Sequence, residues 1–515
     1  MNGTRVSAIG LVFILNCLPG APIPDARAAK TGEWIEVSTE NFIIRTNTGR
    51  EKAVELATDL EKYRFLVIYL TGVQAREVPG PPLLVHAFAT TREYHDHTGM
   101  TGTLGAYASK PSGAVSLLSL EDGEENWRPS GKLVLMHEYT HHILNQFSPI
   151  QYPRWYDEGF ADFMSMVEFD GDDAVIGLPA LHRAPILKAR RNWLRAWEII
   201  DSRGRYIGNI GSNRPRDPRH GLSGTMVQNA QGWLMVHYLH SKPELQRGIG
   251  PYLMAINRAD VDDNEAFEQA FGMDLRQFDR EVRRYWEGAE LAVGRVEIAS
   301  RLPPIEPEVR VMPQAEVEAI GYESAIMADS ISSIPKSLAR KAFEQSIAGN
   351  IRVEDMRLSL IEMALAEQDW PAARRQIDLL LEADSESAPA LTAEIRLQRL
   401  QHEDEFDTET ALALRDKART AIARNPYYVP ALMQYADLTF EHDLELDRNV
   451  GSIVESIRLL APGLIEGQVF EARLFARNGD VDEAIAILDA LIKWSRSPGQ
   501  AATLREIREE LADQA

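Results

Sequence analysis

Cysteine is almost absent from this chain: Cys17 is the only one in 515 residues. One thiol cannot build an internal disulfide framework, so the fold must rest on core burial, and several hundred residues are ample for that. Long apolar runs are also missing. The run from Val6 to Leu18 falls short of the ~20 residues that a helix needs to cross a bilayer, so no stable membrane span is expected. Positive charge is in deficit, with 55 Lys and Arg against 77 Asp and Glu and a formal net charge of −22. A surface of that sign repels phosphate backbones and anionic headgroups, which argues against nucleic acid and anionic membrane as partners. It favours solubility and selects no particular substrate.

The short apolar run has a different use. Arg5 precedes it, Pro and Gly follow it, and Ala26-Arg27-Ala28 forms a small-x-small cleavage site with the cut expected near Ala28-Ala29. Residues 1–29 therefore read as a cleaved signal peptide, which makes the mature protein periplasmic or secreted. Asn16 stands where a lipoprotein site needs a small residue before Cys17. Cleavage removes Arg5, Asp25 and Arg27 and leaves a cysteine-free chain one charge more acidic, in a compartment where disulfides persist.

What the chain does have is concentrated between Leu133 and Asp162, in LVLMHEYTHHILNQFSPIQYPRWYDEGFAD. On a helix His137 and His141 lie four positions apart, about 40° round the axis and roughly 6 Å along it. Two imidazoles so placed share a face and can converge on one Zn²⁺. Glu138 flanks that face without being a ligand, where it can take a proton from metal-bound water. Ser148-Pro149 and Tyr152-Pro153 end that helix and let another begin. Glu158, in the first turn of the second helix, is the expected third ligand. Three protein ligands and an open position form the catalytic arrangement, whereas structural zinc is closed by four. Asp162, one turn later, either holds the far N–H of a ligand histidine or stands exposed. His142 points about 100° away from His141 and reads as packed or hydrogen-bonded. His95 and His97, expected on a loop, have no third partner in sight and read as solvated.

HEYTH followed by WYDEGFAD resembles the gluzincin group of zinc metallopeptidases, which includes thermolysin and aminopeptidase N. The resemblance is specific over about thirty residues and implies Zn²⁺ held by His137, His141 and Glu158, with Glu138 as general base. It also implies that Asp162 pairs with a ligand histidine. A vaguer likeness to peptidase-MA-like proteins extends from Trp34 to Trp286. Such proteins tend to carry a tyrosine, as donor to the oxyanion, near the start of the helix expected at Val227 to Leu239; Asn229 stands there instead. The oxyanion donor is therefore unknown, with Tyr206 and His220 as substitutes that cannot be ranked. The aminopeptidase signature GxMEN is absent, so aminopeptidase specificity is not implied.

The surrounding pattern is α+β. Two short strands are expected over Trp34–Thr46, a helix over Arg50–Leu70 and a buried strand at Leu83–Phe88. A hairpin of Leu104–Ala108 with Ala114–Leu120 should follow. Ala114–Leu120 is either the sheet edge that binds an extended peptide or an ordinary core strand. Further helices are expected at Ala184–Asp201, at Val227–Leu239 and from Asp274 to Trp286. The loop between the first two carries the basic cluster Arg214, Arg216, Arg219 and His220. Arg301-Leu302-Pro303-Pro304-Ile305-Glu306-Pro307 reads as a linker, beyond which only helical patterns remain. ALAEQDWPAARRQIDLLLEA (Ala364–Ala383) and ARNGDVDEAIAILDALIKW (Ala476–Trp494) resemble tetratricopeptide (TPR) repeats, with a poorer copy near Ala421 and Asn425-Pro426. Stacked repeats make a solenoid with a groove for a protein partner; a plain helical bundle is the alternative.

The expected organisation is thus a signal peptide (1–29), a zincin-like metallopeptidase domain (30–297), a linker (298–315) and a TPR-like helical domain (316–515). The expected function is hydrolysis of peptide bonds in a peptide or protein substrate. The alternatives are a non-catalytic zinc-containing TPR scaffold and, less favoured, a metallohydrolase acting on another bond.

Overall fold

A computed structural model describes residues 11–13, 32–72, 82–98, 100, 103–110, 113–121, 130–148, 150–171, 173–189, 193–200, 224–258, 260–288, 290–320, 336–402, 407–495 and 498–513. Tyr206 and the basic cluster Arg214, Arg216, Arg219 and His220 lie outside the described residues, as does the segment expected as a signal peptide apart from Leu11–Phe13. The chain is α+β and mostly helical, with a mixed sheet near its N-terminal end. Among the described residues no helix is long and apolar enough to cross a membrane.

The sheet contains β1 (Leu11–Phe13), β2 (Ile35–Ser38), β3 (Phe42–Thr46), β4 (Leu83–Phe88), β5 (Gly105–Lys110), β6 (Gly113–Ser119) and β10 (Glu308–Val311). Its order is β1-β5-β6-β4-β3-β2-β10, with β3-β4 and β4-β6 parallel and the other pairs antiparallel. Between β3 and β4 runs α1 (Arg50–Thr71), which buries Leu56, Leu60, Tyr63 and Val67 with Phe42, Ile44, Leu83 and Val85. Alternation along β6 gives Ala114 and Leu118 to this core. Val115 and Leu117 go to a second cluster with Trp34, Phe88 and Tyr94.

Three expectations need correction here. First, of the two readings of Ala114–Leu120 the core strand holds and the edge does not: β6 pairs with β5 on one side and β4 on the other. The strand next to the rim is β5. Second, His95 and His97 belong to a helix, α2 (Thr91–Thr98), which a loop reading missed. The His97 ring packs on Trp34 and Phe88 and its Nδ1 lies 2.8 Å from the Glu93 carbonyl, while His95 Nε2 lies 3.3 Å from the Thr103 carbonyl. Third, the segment expected as a linker is tied to the sheet. Ile298 and Met312 are buried, Arg301 covers the Tyr69 ring, and β10 pairs residue for residue with β2.

Beyond the sheet come α3 (Gly131–Phe147), α4 (Arg154–Ser165), a small sheet of β7 (Glu168–Asp170), β8 (Asp173–Ile176) and β9 (Gly294–Glu297), and helices α5 (Ala184–Lys188), α6 (Ala196–Ile200), α7 (Gly224–His240), α8 (Pro243–Ile256), α9 (Asp263–Phe271) and α10 (Leu275–Glu287). The single helix expected over Ala184–Asp201 is two short ones. Gln231 bonds the backbone N–H and carbonyl of Leu194 at 2.7 and 3.0 Å, and Asp279 takes the Ala196 N–H at 3.1 Å. Side chains from α7 and α10 thus use backbone groups that a continuous helix would need.

From residue 336 onward every described element is a helix: α11 (Lys336–Ala348), α12 (Val353–Ala366), α13 (Trp370–Ala383), α14 (Ala388–Gln401), α15 (Thr408–Arg424), α16 (Val429–Glu441), α17 (Val450–Leu460), α18 (Ile465–Arg477), α19 (Val481–Lys493) and α20 (Pro498–Ala512). Consecutive helices pack on each other, and so do the alternate pairs α12–α14, α14–α16 and α16–α18. Gln368, Asp443 and Gly479 occupy the left-handed region in the turns α12–α13, α16–α17 and α18–α19. In each, the next N–H reaches back five residues, Asp369 to Ala364, Leu444 to Thr439 and Asp480 to Phe475, at 2.8–2.9 Å. That is the six-to-one helix termination, repeated.

Candidate metal centre

Ser130 caps α3, its hydroxyl accepting the Leu133 N–H at 3.2 Å. The helix lies against β5 and β6 and is pinned to α1 by the Tyr63 hydroxyl, 2.9 Å from the Met136 carbonyl and 2.6 Å from Thr140 Oγ1. Pro153 stops the incoming chain just ahead of α4. Helices α4 and α7 cross at a glycine pair: a Cβ on Gly159 would fall 2.4 Å from the Gly232 carbonyl carbon, and one on Gly232 would fall 2.5 Å from the Trp155 oxygen. This close approach puts Asn229, one turn before Gly232, against Glu158.

His137, His141 and Glu158 are buried and converge, forming a cluster that can hold a metal ion. The two Nε2 atoms face each other at 3.2 Å, and Glu158 Oε2 lies 3.7 Å from His137 Nε2. Each far nitrogen has a carboxylate: Asp157 Oδ1 is 2.7 Å from His141 Nδ1, and Asp162 Oδ1 is 3.2 Å from His137 Nδ1. Carboxylates accept, so a hydrogen on each Nδ1 faces a carboxylate, and loss of any proton from Nε2 frees that atom to bind a metal. Two ring nitrogens at that distance need either a shared proton or a metal ion between them. The donor set therefore fits a cation.

Other side chains fix the carboxylates. Arg154 Nη2 donates to Glu158 Oε1 at 2.5 Å, and Asn229 Nδ2 donates to Oε2 at 2.8 Å. Arg183 donates to both oxygens of Asp162 at 2.7 and 3.0 Å, with His182 Nε2 3.3 Å away. Burial pushes the Asp162 carboxyl up, but Arg183 and the neighbouring rings hold it well below the usual carboxylate range. Burial likewise opposes charge on Glu158, yet His137 and Arg154 keep it down at about 2. Burial lowers His137, while Asp162 and Glu158 raise it further, to about 10. Glu138 is buried, its Oε2 has no partner among the described residues, and burial raises its carboxyl against the pull of His137 and His141.

Asp157, Arg154, Arg183 and His182 join the site from outside the expected set. Asp157 had a signal, since it precedes Glu158 directly; a lone arginine twenty-one residues beyond Asp162 had none. His142 is half-buried away from the cluster, against Tyr107 and Tyr139, and desolvation lowers it to about 3. Tyr238 packs with Phe278 and Tyr285.

Protons and metal compete for the same lone pairs, so one expectation follows from the raised His137. A group held up at about 10 carries its proton at neutral pH in the metal-free site, and metal must expel it. Apparent metal affinity is expected to rise between pH 6 and 8 by up to about tenfold per unit for each proton released. Titration of the metal-free protein in weak buffer with an indicator dye checks this by proton count. A pH-independent affinity would mean that these rings are not ligands.

No protein-family model matches the chain, and comparison with curated proteins finds no match.

Proposed function

We propose that this protein is a periplasmic or secreted zinc metallopeptidase of gluzincin type, whose C-terminal TPR-like solenoid recruits a protein substrate or partner. The observation that carries the reading is the pair of opposed Nε2 atoms at 3.2 Å, beside Glu158 and a buried Glu138. Two nitrogens at 2.0–2.1 Å from one tetrahedral Zn²⁺ stand about 3.3 Å apart, close to the spacing found. Zinc bound by His137, His141 and Glu158 would supply Lewis acidity at the scissile carbonyl and lower the pKa of a water toward ~7. Glu138 takes the proton of the attacking water and passes it to the leaving amine. Asp157 and Asp162 keep both rings in the Nδ1–H tautomer, and Arg154 with Asn229 holds the Glu158 carboxylate in one orientation. Strand β5 is the edge for an extended substrate, once removal of residues 1–29 takes away the β1 strand paired to it.

The repeat reading is supported by the alternate-helix packing and the recurrent turns at Gln368, Asp443 and Gly479. One observation favours a non-catalytic zinc scaffold instead: Asn229, where related peptidases carry tyrosine, is already committed to Glu158.

The test is cleavage of an unfolded, cysteine-free polypeptide by metal-stripped protein before and after addition of one equivalent of Zn²⁺, with the ends read by mass spectrometry. New internal ends that appear only after reloading are the expected result. Identical, uncut polypeptide in both states, with zinc bound stoichiometrically, would favour the scaffold.

A further inference from the structure

The C-terminal helices return to the metal-site region at two places, and both flank the connection between α3 and α4. The side chain of Lys493, the last residue of α19, is only 8% exposed. Its ammonium donates to the carbonyls of Ile256 and Arg258 at 2.8 Å each and of Val261 at 3.3 Å, and it lies 3.2 Å from Asp263 Oδ1. Ile256 ends α8, and a cation at a helix C-terminus is favoured by the orphan carbonyls there. Trp494, next in the chain, is buried in the same core as Trp155 and Tyr156. Between the gripped carbonyls stands Asn257, whose side chain is bound to Gln151. Its Oδ1 accepts the Gln151 N–H and its Nδ2 donates to the Gln151 carbonyl, both at 2.8 Å. Gln151 belongs to the short connection between α3 and α4.

The second contact is steric. Gly463, between α17 and α18, meets the Asn145 carbonyl on the last turn of α3 with no room for a Cβ. Asn145 in turn donates from Nδ2 to the His141 carbonyl at 2.8 Å. The His141 end of the connection is thus backed by Gly463, and the end leading to Glu158 is backed by Lys493 through Asn257.

We propose that Lys493 and Gly463 are positioning residues for the metal site: the C-terminal helical region braces both ends of the α3–α4 connection and thereby sets His141 against Glu158. The assignment rests on the metal-site reading above and extends it, because it makes the helical region part of what retains the ion. Ligand constellations tolerate misplacement of only about 0.5 Å, and outer contacts to ligand residues typically change metal affinity by about 10–100-fold.

The experiment uses the full chain, with Lys493→Met, Lys493→Arg and Gly463→Ala compared with wild type. Two readouts are taken: the rate at which a coloured chelator strips bound Zn²⁺, and amide exchange over residues 145–158 against that over α12–α14. Lys493→Met keeps the stem but removes the donors, so zinc should be stripped about 10–100-fold faster. Exchange in 145–158 should quicken while α12–α14 remains as in wild type. Gly463→Ala should behave likewise, and Lys493→Arg, which keeps a cation with donors, should restore most of the retention. Faster exchange in α12–α14 as well would report general unfolding and count against a positioning role. Wild-type stripping rates and wild-type exchange in 145–158 for both variants would overturn the proposal. If wild type itself holds no zinc, the metal reading fails separately, and exchange over 145–158 alone decides whether Lys493 braces the connection.

Discussion

The Glu158→Ala protein is expected to lose stoichiometric zinc under conditions where Asp162→Asn and Asp157→Asn proteins still hold it with affinity reduced about 10–100-fold. The ranking follows from what each carboxylate touches. Glu158 offers its oxygen to the space between the rings, whereas Asp157 and Asp162 reach only the far ring nitrogens. Alanine at 158 has a second consequence, since Arg154 is buried against Glu158, with side chains 7% and 6% exposed. An uncompensated buried charge costs about 3–5 kcal/mol, so loss of metal and loss of stability would come together. Glu158→Gln separates them. Its amide oxygen still accepts from Arg154, and the Asn229 amide can turn so that its unpartnered Oδ1 accepts from the new NH₂. That variant should fold near wild type yet bind zinc poorly. Equilibrium dialysis with metal analysis, beside thermal melts of the metal-free proteins, checks both effects. Small and equal losses for Glu158→Ala and Asp162→Asn would mean that the third ligand lies elsewhere.

Local periodicity explains what was legible in advance. Two histidines four apart on an amphipathic run can share a face only if the run is helical, and α3 spans both. The proline before Arg154 marked the start of α4 in the same way. Leu83–Phe88 was readable as a strand because its apolar run is short and bounded, and the strand covers those residues. The long-range pairings were not readable. Nothing near Glu308 announces that β10 lies on β2, some 270 residues away in sequence. The internal position of β6 depends on β4 and β5 together, so an isolated alternating run could not reveal it. Within the site, Asn229 reaches Glu158 because α4 and α7 cross at Gly159 and Gly232, and Arg183 reaches Asp162 from the start of α5. Such contacts are products of packing, and a motif of thirty residues contains only the side chains that packing later brings together.

Glu138→Gln is expected to reduce polypeptide hydrolysis by at least ~10²–10⁴-fold, the range typical of losing a general base, while leaving folding and zinc stoichiometry almost unchanged. The side chain is 2% exposed and stands beside both ligand histidines without being part of the converging cluster. Among the described residues its Oε2 has no partner. Burial raises the carboxyl, which makes the carboxylate a better proton acceptor than an exposed one. Glutamine matches its size and cannot take the proton. A buried carboxylate oxygen without a partner among the described residues is costly to keep, and a purely structural metal site has no use for it. The scaffold reading makes the opposite prediction: wild type and Glu138→Gln would bind zinc and a common protein partner equally and leave varied polypeptides uncut. Loss of internal cleavage ends in the variant alone, at equal zinc content, would assign the chemistry to Glu138 and exclude the scaffold.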